Sequence, residues 1–288
     1  MTPLRIAAAG LCLAFTALQA QAASYFVQPI VIVSPGAFIN GLEIDGATSR
    51  TEGYFNAPTA VSTSVDLEAG TIRGIVSLGG GGVPSGGASQ GRFGEQVTFQ
   101  NADDTTVNLR FTFEGSVYAP ARDPNLNSLM QIGIDAYIAV FDPAVGATAS
   151  TWFNKSFGNE GDQTIFKDRI TLNYNNPTEI LDDILIETLV APINVTSSRR
   201  SFDIFVNLTL NNVPNFNPGP VTLDFLNTAS LSIEADPGVT YTSLSGTFLD
   251  STGVTVVPAP GALPLLGSGL AVVAGFRARR RRKVGTAT

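Results

Sequence analysis

The chain has no histidine among its 288 residues, and its single cysteine, Cys12, falls in an N-terminal apolar stretch. Without imidazole or a thiol beyond that stretch, the sequence excludes Cys/His zinc sites, thiolate nucleophiles and every hydrolytic triad built on an imidazole base. It also excludes internal disulfides, so an exported domain of this composition must be held together by packing. Tryptophan occurs once, at Trp152, and charged residues make up 14% of the chain. Positive charge is scarcest in the middle: Arg5 and the cluster from Arg277 to Lys283 remove seven of the 17 basic residues, leaving 10 − 24 = −14 between Ala23 and Val257. An acidic surface of that size argues against nucleic acid and anionic lipid as partners, because phosphate binding rests on Lys and Arg. It favours solubility and weak association with divalent cations.

What is present is most distinctive at the two ends. Arg5, an apolar stretch from Ile6 to Leu18 and the trio Ala20-Gln21-Ala22 have the layout of a secretory signal peptide over residues 1–22, with cleavage expected after Ala22. Cys12 sits in the middle of the apolar stretch behind the large Leu11, so lipoprotein processing is not expected. At the far end, Val257-Pro258-Ala259-Pro260 precedes an apolar run from Gly261 to Phe276, and Arg277, Arg279, Arg280, Arg281, Arg282 and Lys283 follow. As a helix that run reaches roughly 24 Å, short of the roughly 30 Å hydrocarbon core of a bilayer. The basic cluster prefers the cytoplasmic side, which predicts residues 277–288 inside and the preceding chain outside. Pro264, Gly267, Gly269 and Gly275 weaken the helix and admit close neighbours, which suits a segment recognised by another membrane protein. The plain alternative is a single-span anchor.

This order of proline tetrapeptide, apolar span and terminal arginines resembles the PEP-CTERM sorting signal of Gram-negative bacteria. In that family the signal is recognised and processed by membrane-embedded exosortases, and the motif most often reads Val-Pro-Glu-Pro. Here Ala259 replaces the acidic residue, as in the family's Val-Pro-Leu-Pro variants, which implies a particular exosortase subtype. Asp224-Phe225-Leu226-Asn227-Thr228-Ala229 and Ser245-Gly246-Thr247-Phe248-Leu249 also resemble segments that recur upstream of this signal. The resemblance implies export across the inner membrane, transient membrane anchoring through residues 261–276, and release to the cell surface or extracellular matrix. It further implies a role in an exopolysaccharide or biofilm setting.

About 235 residues remain between the two targeting segments, enough for one large β domain. Val107, Leu109, Phe111, Phe113 and Val117 alternate with polar residues, Gly115 interrupting the apolar face, and predict a half-buried strand. Phe202, Ile204, Val206, Leu208 and Leu210 predict another, with Asp203, Asn207 and Thr209 facing away and Phe205 as the exception. Further strands are expected at 61–67, 71–78, 93–99, 130–141, 184–195, 221–225, 229–233 and 240–249. Turn chemistry places loops at 79–87, 211–220 and 236–238, and no internal repeat is visible. Asn176-Pro177-Thr178-Glu179 allows at most a short turn of helix before a β-rich stretch. The expected architecture is all-β: a single jelly-roll-like β-sandwich over residues 23–250, flanked by the signal peptide and the C-terminal hydrophobic helix, with a linker at 251–260.

Candidate chemistry is sparse. Asp123-Pro124-Asn125-Leu126-Asn127 has alternate oxygens at calcium-loop spacing, but Ser128 and Ile134 stand where an EF-hand needs glycine and glutamate, which favours an Asx-rich turn. Asp103-Asp104 and Asp182-Asp183 read as solvated acids unless a second carboxylate faces them across a cleft. The glycine-rich stretch Gly79–Gly87 lacks the Lys and the following helix of a phosphate loop. Arg199-Arg200 is expected at a hairpin connection in solvent. Trp152, Phe153, Phe157 and Tyr54 are either core residues or a ring platform for a sugar. No catalytic residue, metal ligand or cofactor is expected. The expected function is a non-enzymatic surface or matrix protein, structural or adhesive, sorted by an exosortase. The alternative is a carbohydrate-binding β-sandwich, and a glycoside hydrolase is a more distant third.

Overall fold

A computed structural model of the chain describes residues 25–34, 37–39, 44–56, 58–79, 86–100, 104–121, 130–143, 164–175, 177–214 and 220–249. The chain divides into two compact units, Met1–Val254 and Thr255–Thr288, and all described residues belong to the first. They form strands and turns, with no α-helix among them. In chain order the strands are β1 (Phe26–Ser34), β2 (Ala37–Ile39), β3 (Ile44–Asp45), β4 (Ser49–Asn56), β5 (Thr59–Asp66), β6 (Thr71–Leu78), β7 (Gly86–Gln100) and β8 (Thr105–Ala119). They continue as β9 (Met130–Phe141), β10 (Phe166–Asn175), β11 (Leu181–Val195), β12 (Ser201–Pro214), β13 (Val221–Glu234) and β14 (Thr240–Ser243).

Two antiparallel sheets build a sandwich. One has eight strands, ordered β10-β9-β12-β7-β1-β2, with β14 also on β7 and β3 on β1; the other has six, ordered β11-β8-β13-β6-β5-β4. The period-2 sets read from the sequence are the inner faces. Val107, Leu109, Phe111, Phe113 and Val117 from the six-stranded sheet and Phe202, Ile204, Val206, Leu208 and Leu210 from the eight-stranded sheet are all buried in one core. Gly115 sits in that apolar row because a Cβ there would lie 2.4 Å from the Phe225 ring. The glycine lets the β13 phenyl occupy the space.

Several boundaries differ from expectation. The strand expected over 240–249 ends at Ser243, and the rest of it turns back toward the core, where Phe248 meets Phe93 edge-on at 6.2 Å. The Asn211–Pro214 stretch, expected as a turn, is ladder: Asn211 and Pro214 pair with Gly133 and Met130 of β9. Gly86 and Gly87 belong to β7 rather than to a loop. The two strands expected at 221–225 and 229–233 are one strand, β13, with a register shift between Asp224 and Thr228. No helical turn follows Pro177; the chain bends and enters β11. β1 to β4 and β10 were not foreseen.

Candidate functional site

Side chains alternate across a strand, so the residues that do not enter the core define an outer face. On the eight-stranded sheet, register aligns those residues into rows. Gln28, Arg92, Asn207, Tyr137 and Arg169 stand side by side across β1, β7, β12, β9 and β10. Ile30, Gln90, Thr209, Asp135 and Thr171 form the next row.

The polar members are joined by hydrogen bonds. Arg92 donates through Nε to Asn207 Oδ1 at 3.2 Å and through Nη1 to Gln28 Oε1 at 3.3 Å. Gln90 Nε2 donates to Asn207 Oδ1 at 3.0 Å and to Thr209 Oγ1 at 2.9 Å, and Asn207 Nδ2 donates to Thr209 Oγ1 at 3.1 Å. At the β10 side, Arg169 Nε and the Thr171 hydroxyl both donate to Asp135 Oδ1, at 2.6 and 2.8 Å. Asn207 is buried and orients its neighbours, whereas Arg169 and Thr171 are exposed and Gln90, Arg92 and Asp135 are half-buried. Gly133, between Asn211 and Asn173, leaves a position without a side chain beside the network.

The network rests on an aromatic shelf. In the row beyond Arg92, Phe26 and Phe205 are buried with ring centroids 5.9 Å apart, and Tyr137 meets Phe205 at 5.5 Å in a T-shaped contact. Burial pushes the Tyr137 phenol up, out of the range of physiological titration. Phe205, the exception to the period-2 pattern, is therefore apolar for a reason: it anchors this shelf on the outer side of its strand. Amides, hydroxyls and the guanidiniums of Arg92 and Arg169 supply both donors and acceptors suited to hydroxyl groups.

Most of the residues nominated from sequence lie outside the described ones. Ala20, Ala22, the motif Val257, Pro258, Ala259 and Pro260, and the basic Arg277, Arg279, Arg280, Arg281, Arg282 and Lys283 lie outside the described residues, as do Asp103, Asp123, Asn125, Asn127, Trp152, Phe153 and Phe157. Tyr54 is half-buried on β4 of the other sheet, packed against the core, with its hydroxyl accepting from Asn56 Nδ2 at 3.2 Å. Asp182 and Asp183 are both exposed on β11. As neighbours in a strand they point to opposite faces and form no facing pair. Arg199 closes the β11–β12 hairpin, its N–H bonded to the Thr196 carbonyl at 3.1 Å, and pairs with Asp142 in solvent at 3.2 Å. Among the described residues no group of three or more acids holds a metal-like arrangement, and no helix is long and apolar enough to cross a membrane.

The sequence marked Asn207 and Thr209 as outward, but the partners from β1, β7, β9 and β10 are up to 181 positions apart along the chain, from Gln28 to Thr209. Only cross-strand register brings them together.

No protein-family model and no curated protein matches this chain. Among solved structures it is similar to the enzymatically active domain of tailspike protein 4 from bacteriophage CBA120, at 9% identity and a TM-score of 0.22 over 66% of this chain; the match spans 20% of the tailspike. It is also similar to the carbohydrate-binding module TmCBM61 in complex with β-1,4-galactotriose, at 8% identity and a TM-score of 0.22, over 65% of this chain and 88% of that one. A third match is to carbohydrate-binding modules of the β-sandwich superfamily, at 8% identity and a TM-score of 0.21, over 72% and 84%. Likenesses this remote fix neither fold nor ligand, and the architecture stands on the strand ladders themselves.

Proposed function

We propose that this chain is an exported, non-catalytic β-sandwich that binds polysaccharide through the polar outer face of its eight-stranded sheet. The observation that carries the reading is the continuous network from Gln28 through Arg92, Asn207, Gln90 and Thr209, with Asp135, Arg169 and Thr171 beside it. Its exposed rim, Arg169 and Thr171 on Asp135, offers a guanidinium and a hydroxyl to the hydroxyls of a sugar chain, while buried Asn207 holds the rows behind them. The acidic cargo, between the signal peptide at 1–22 and the terminal arginines, fits a matrix or surface role in which exosortase processing follows export.

The binding test is affinity electrophoresis through gels containing the host's own exopolysaccharide. Wild type is retarded, and an Arg169→Ala, Thr171→Ala double variant migrates freely while keeping its melting temperature. Equal retardation of both removes the polar face as the site. The sorting test is intact-mass analysis of surface-released protein from cells with and without an exosortase. Loss of residues 261–288 only where the exosortase is present supports sorting, and a mass that retains them there removes it.

A further inference from the structure

The six-stranded sheet ends at β11, and this edge is closed along one half and open along the other. Val190 donates its N–H to Asp168 Oδ2 of β10 at 3.2 Å, so that N–H points away from the partner strand β8. In an antiparallel ladder the backbone groups of every second residue share that direction. Pro192 therefore stands where an edge N–H would otherwise face outward, and its missing donor leaves no ladder bond unmade. Together Asp168 and Pro192 blunt the C-terminal half of the edge, a known device against strand addition.

The other half has the opposite character. Ile184, Ile186 and Thr188 present their backbone groups outward, and the side chains of Ile180, Ile184 and Ile186 are 66%, 73% and 64% exposed. On the inner side of the same segment Leu181 and Leu185 are half-buried against the core. An open edge flanked by aliphatic side chains is what an added strand needs: backbone pairing from the edge and apolar contact from alternate residues.

Charge decides what can add. From Ile170 to Ser198 the chain carries no Lys or Arg, but it carries Glu179, Asp182, Asp183 and Glu187. Glu114 of β8 stands beside Ile186. Asp183 and Glu187 are close enough to the β10 hydroxyl of Tyr174 to push its pKa up, after the effect of its burial. A second copy adding antiparallel about Leu185 would set Asp183 against Glu187 of its partner, and like charges directly opposite destabilise a strand pair. A strand with aliphatic and cationic residues in alternation would instead set cations against those acids and aliphatics against the isoleucines.

We propose that the edge from Leu181 to Thr188 receives an extended, basic partner segment by strand addition, on the sheet opposite the polysaccharide face and independently of it. The probe is a fluorescein-labelled peptide of alternating valine and lysine, eight residues long, with a valine–glutamate peptide as control, titrated into the full exported chain by fluorescence anisotropy. The lysine peptide binds, the glutamate peptide does not, and hydrogen exchange slows at the amides of Ile184, Ile186 and Thr188. Ile186→Pro removes one outward N–H at a position that costs no ladder bond, and weakens binding about tenfold. The Ile184→Lys, Ile186→Lys pair, on side chains that are mostly exposed, weakens it further by repelling the peptide. Binding unchanged by both variants, no binding at all, or a concentration-dependent dimer abolished by Ile186→Pro would each overturn the proposal, the last in favour of a second copy.

Discussion

Glu95 Oε1 accepts the backbone N–H of Leu244 at 3.0 Å, across 149 positions of sequence. The same oxygen takes N–H bonds from Ser245 at 3.3 Å and from Gln96 at 3.0 Å. A buried carboxylate thereby pins the segment after β14, the last described stretch before the tail. Burial raises the Glu95 pKa from 4.5 to about 7, and the bonds from Ser245, Leu244 and Gln96 only partly oppose it. The folded state then holds a proton that the unfolded chain releases, so between pH 4.5 and about 7 stability falls as pH rises. A rise of that size corresponds to about 3 kcal/mol, fully present below pH 4.5 and lost above pH 7. Urea midpoints measured from pH 5 to 8 should decline for wild type relative to Glu95→Gln, which carries no titrating group. Parallel curves for the two proteins would show that Glu95 titrates normally.

Phe248 closes the same segment from the apolar side. Its ring meets Phe93, and the Tyr241 hydroxyl donates to the carbonyls of Phe248 and Leu249 at 3.2 and 3.3 Å. Phe248→Ala should cost about 3–5 kcal/mol, as for other buried phenylalanines. Tyr241→Phe removes only the donor and should cost about 1 kcal/mol. Limited proteolysis of Phe248→Ala should cut first between Ser243 and Leu249. A wild-type cleavage pattern would mean that the hydrogen bonds to Glu95 and Gln96 and from Tyr241 hold the segment without the ring.

The Gly115 contact gives a test of packing in the six-stranded sheet. A methyl at this position would overlap the Phe225 ring, and Phe225 is itself fully buried, so the ring has no free space to enter. Gly115→Ala should lose about 1–3 kcal/mol despite the better strand propensity of alanine. Adding Phe225→Leu should return part of that loss, giving a positive coupling in a double-mutant cycle by chemical denaturation. Additive losses would mean the strands move apart instead.

Thr71–Leu78 and Met130–Phe141 match their expected bounds, whereas the two strands with the clearest alternation, expected at 107–117 and 202–210, extend further, to Thr105–Ala119 and Ser201–Pro214. β10 also alternates, with Ile170, Leu172 and Tyr174 on one side, but as an edge strand it buries them only partly, and Lys167, Asp168 and Arg169 mask the pattern. Of β7, the glycine-rich stretch 79–87 takes in only Gly86 and Gly87 as loop, and the expected strand at 93–99 leaves 88–92 unassigned. Gly91 is a packing residue: a Cβ there would lie 2.3 Å from Ile72 of the facing sheet, so the glycine permits close approach of the two layers. Asn211 and Pro214 misled as Gly86 and Gly87 did, since turn-forming residues also serve at the end of a long strand. Of the polar face, only the outward direction of Asn207 and Thr209 was legible. Its members come from five strands, and periodicity assigns each side chain to a face without saying which strand lies alongside.

On that face, stability and the proposed binding can be tested apart. Asp135 Oδ1 holds Arg169 and Thr171 at the exposed rim, and partly exposed ion pairs contribute about 0–1 kcal/mol. Asp135→Asn keeps the shape and one acceptor oxygen but removes the charge that aligns the guanidinium, so its denaturation midpoint should stay close to that of wild type. If the face binds sugar, the same substitution should reduce retardation in exopolysaccharide gels about as much as Arg169→Ala, because both free the guanidinium plane from its fixed orientation. Asn207→Ala is the contrasting case. It empties a buried position that accepts from Gln90 and Arg92, so it should lower stability by about 1–3 kcal/mol as well as binding. Retardation that follows stability across the three variants, rather than following the loss of rim geometry in Asp135→Asn and Arg169→Ala, would place the sugar elsewhere on the molecule.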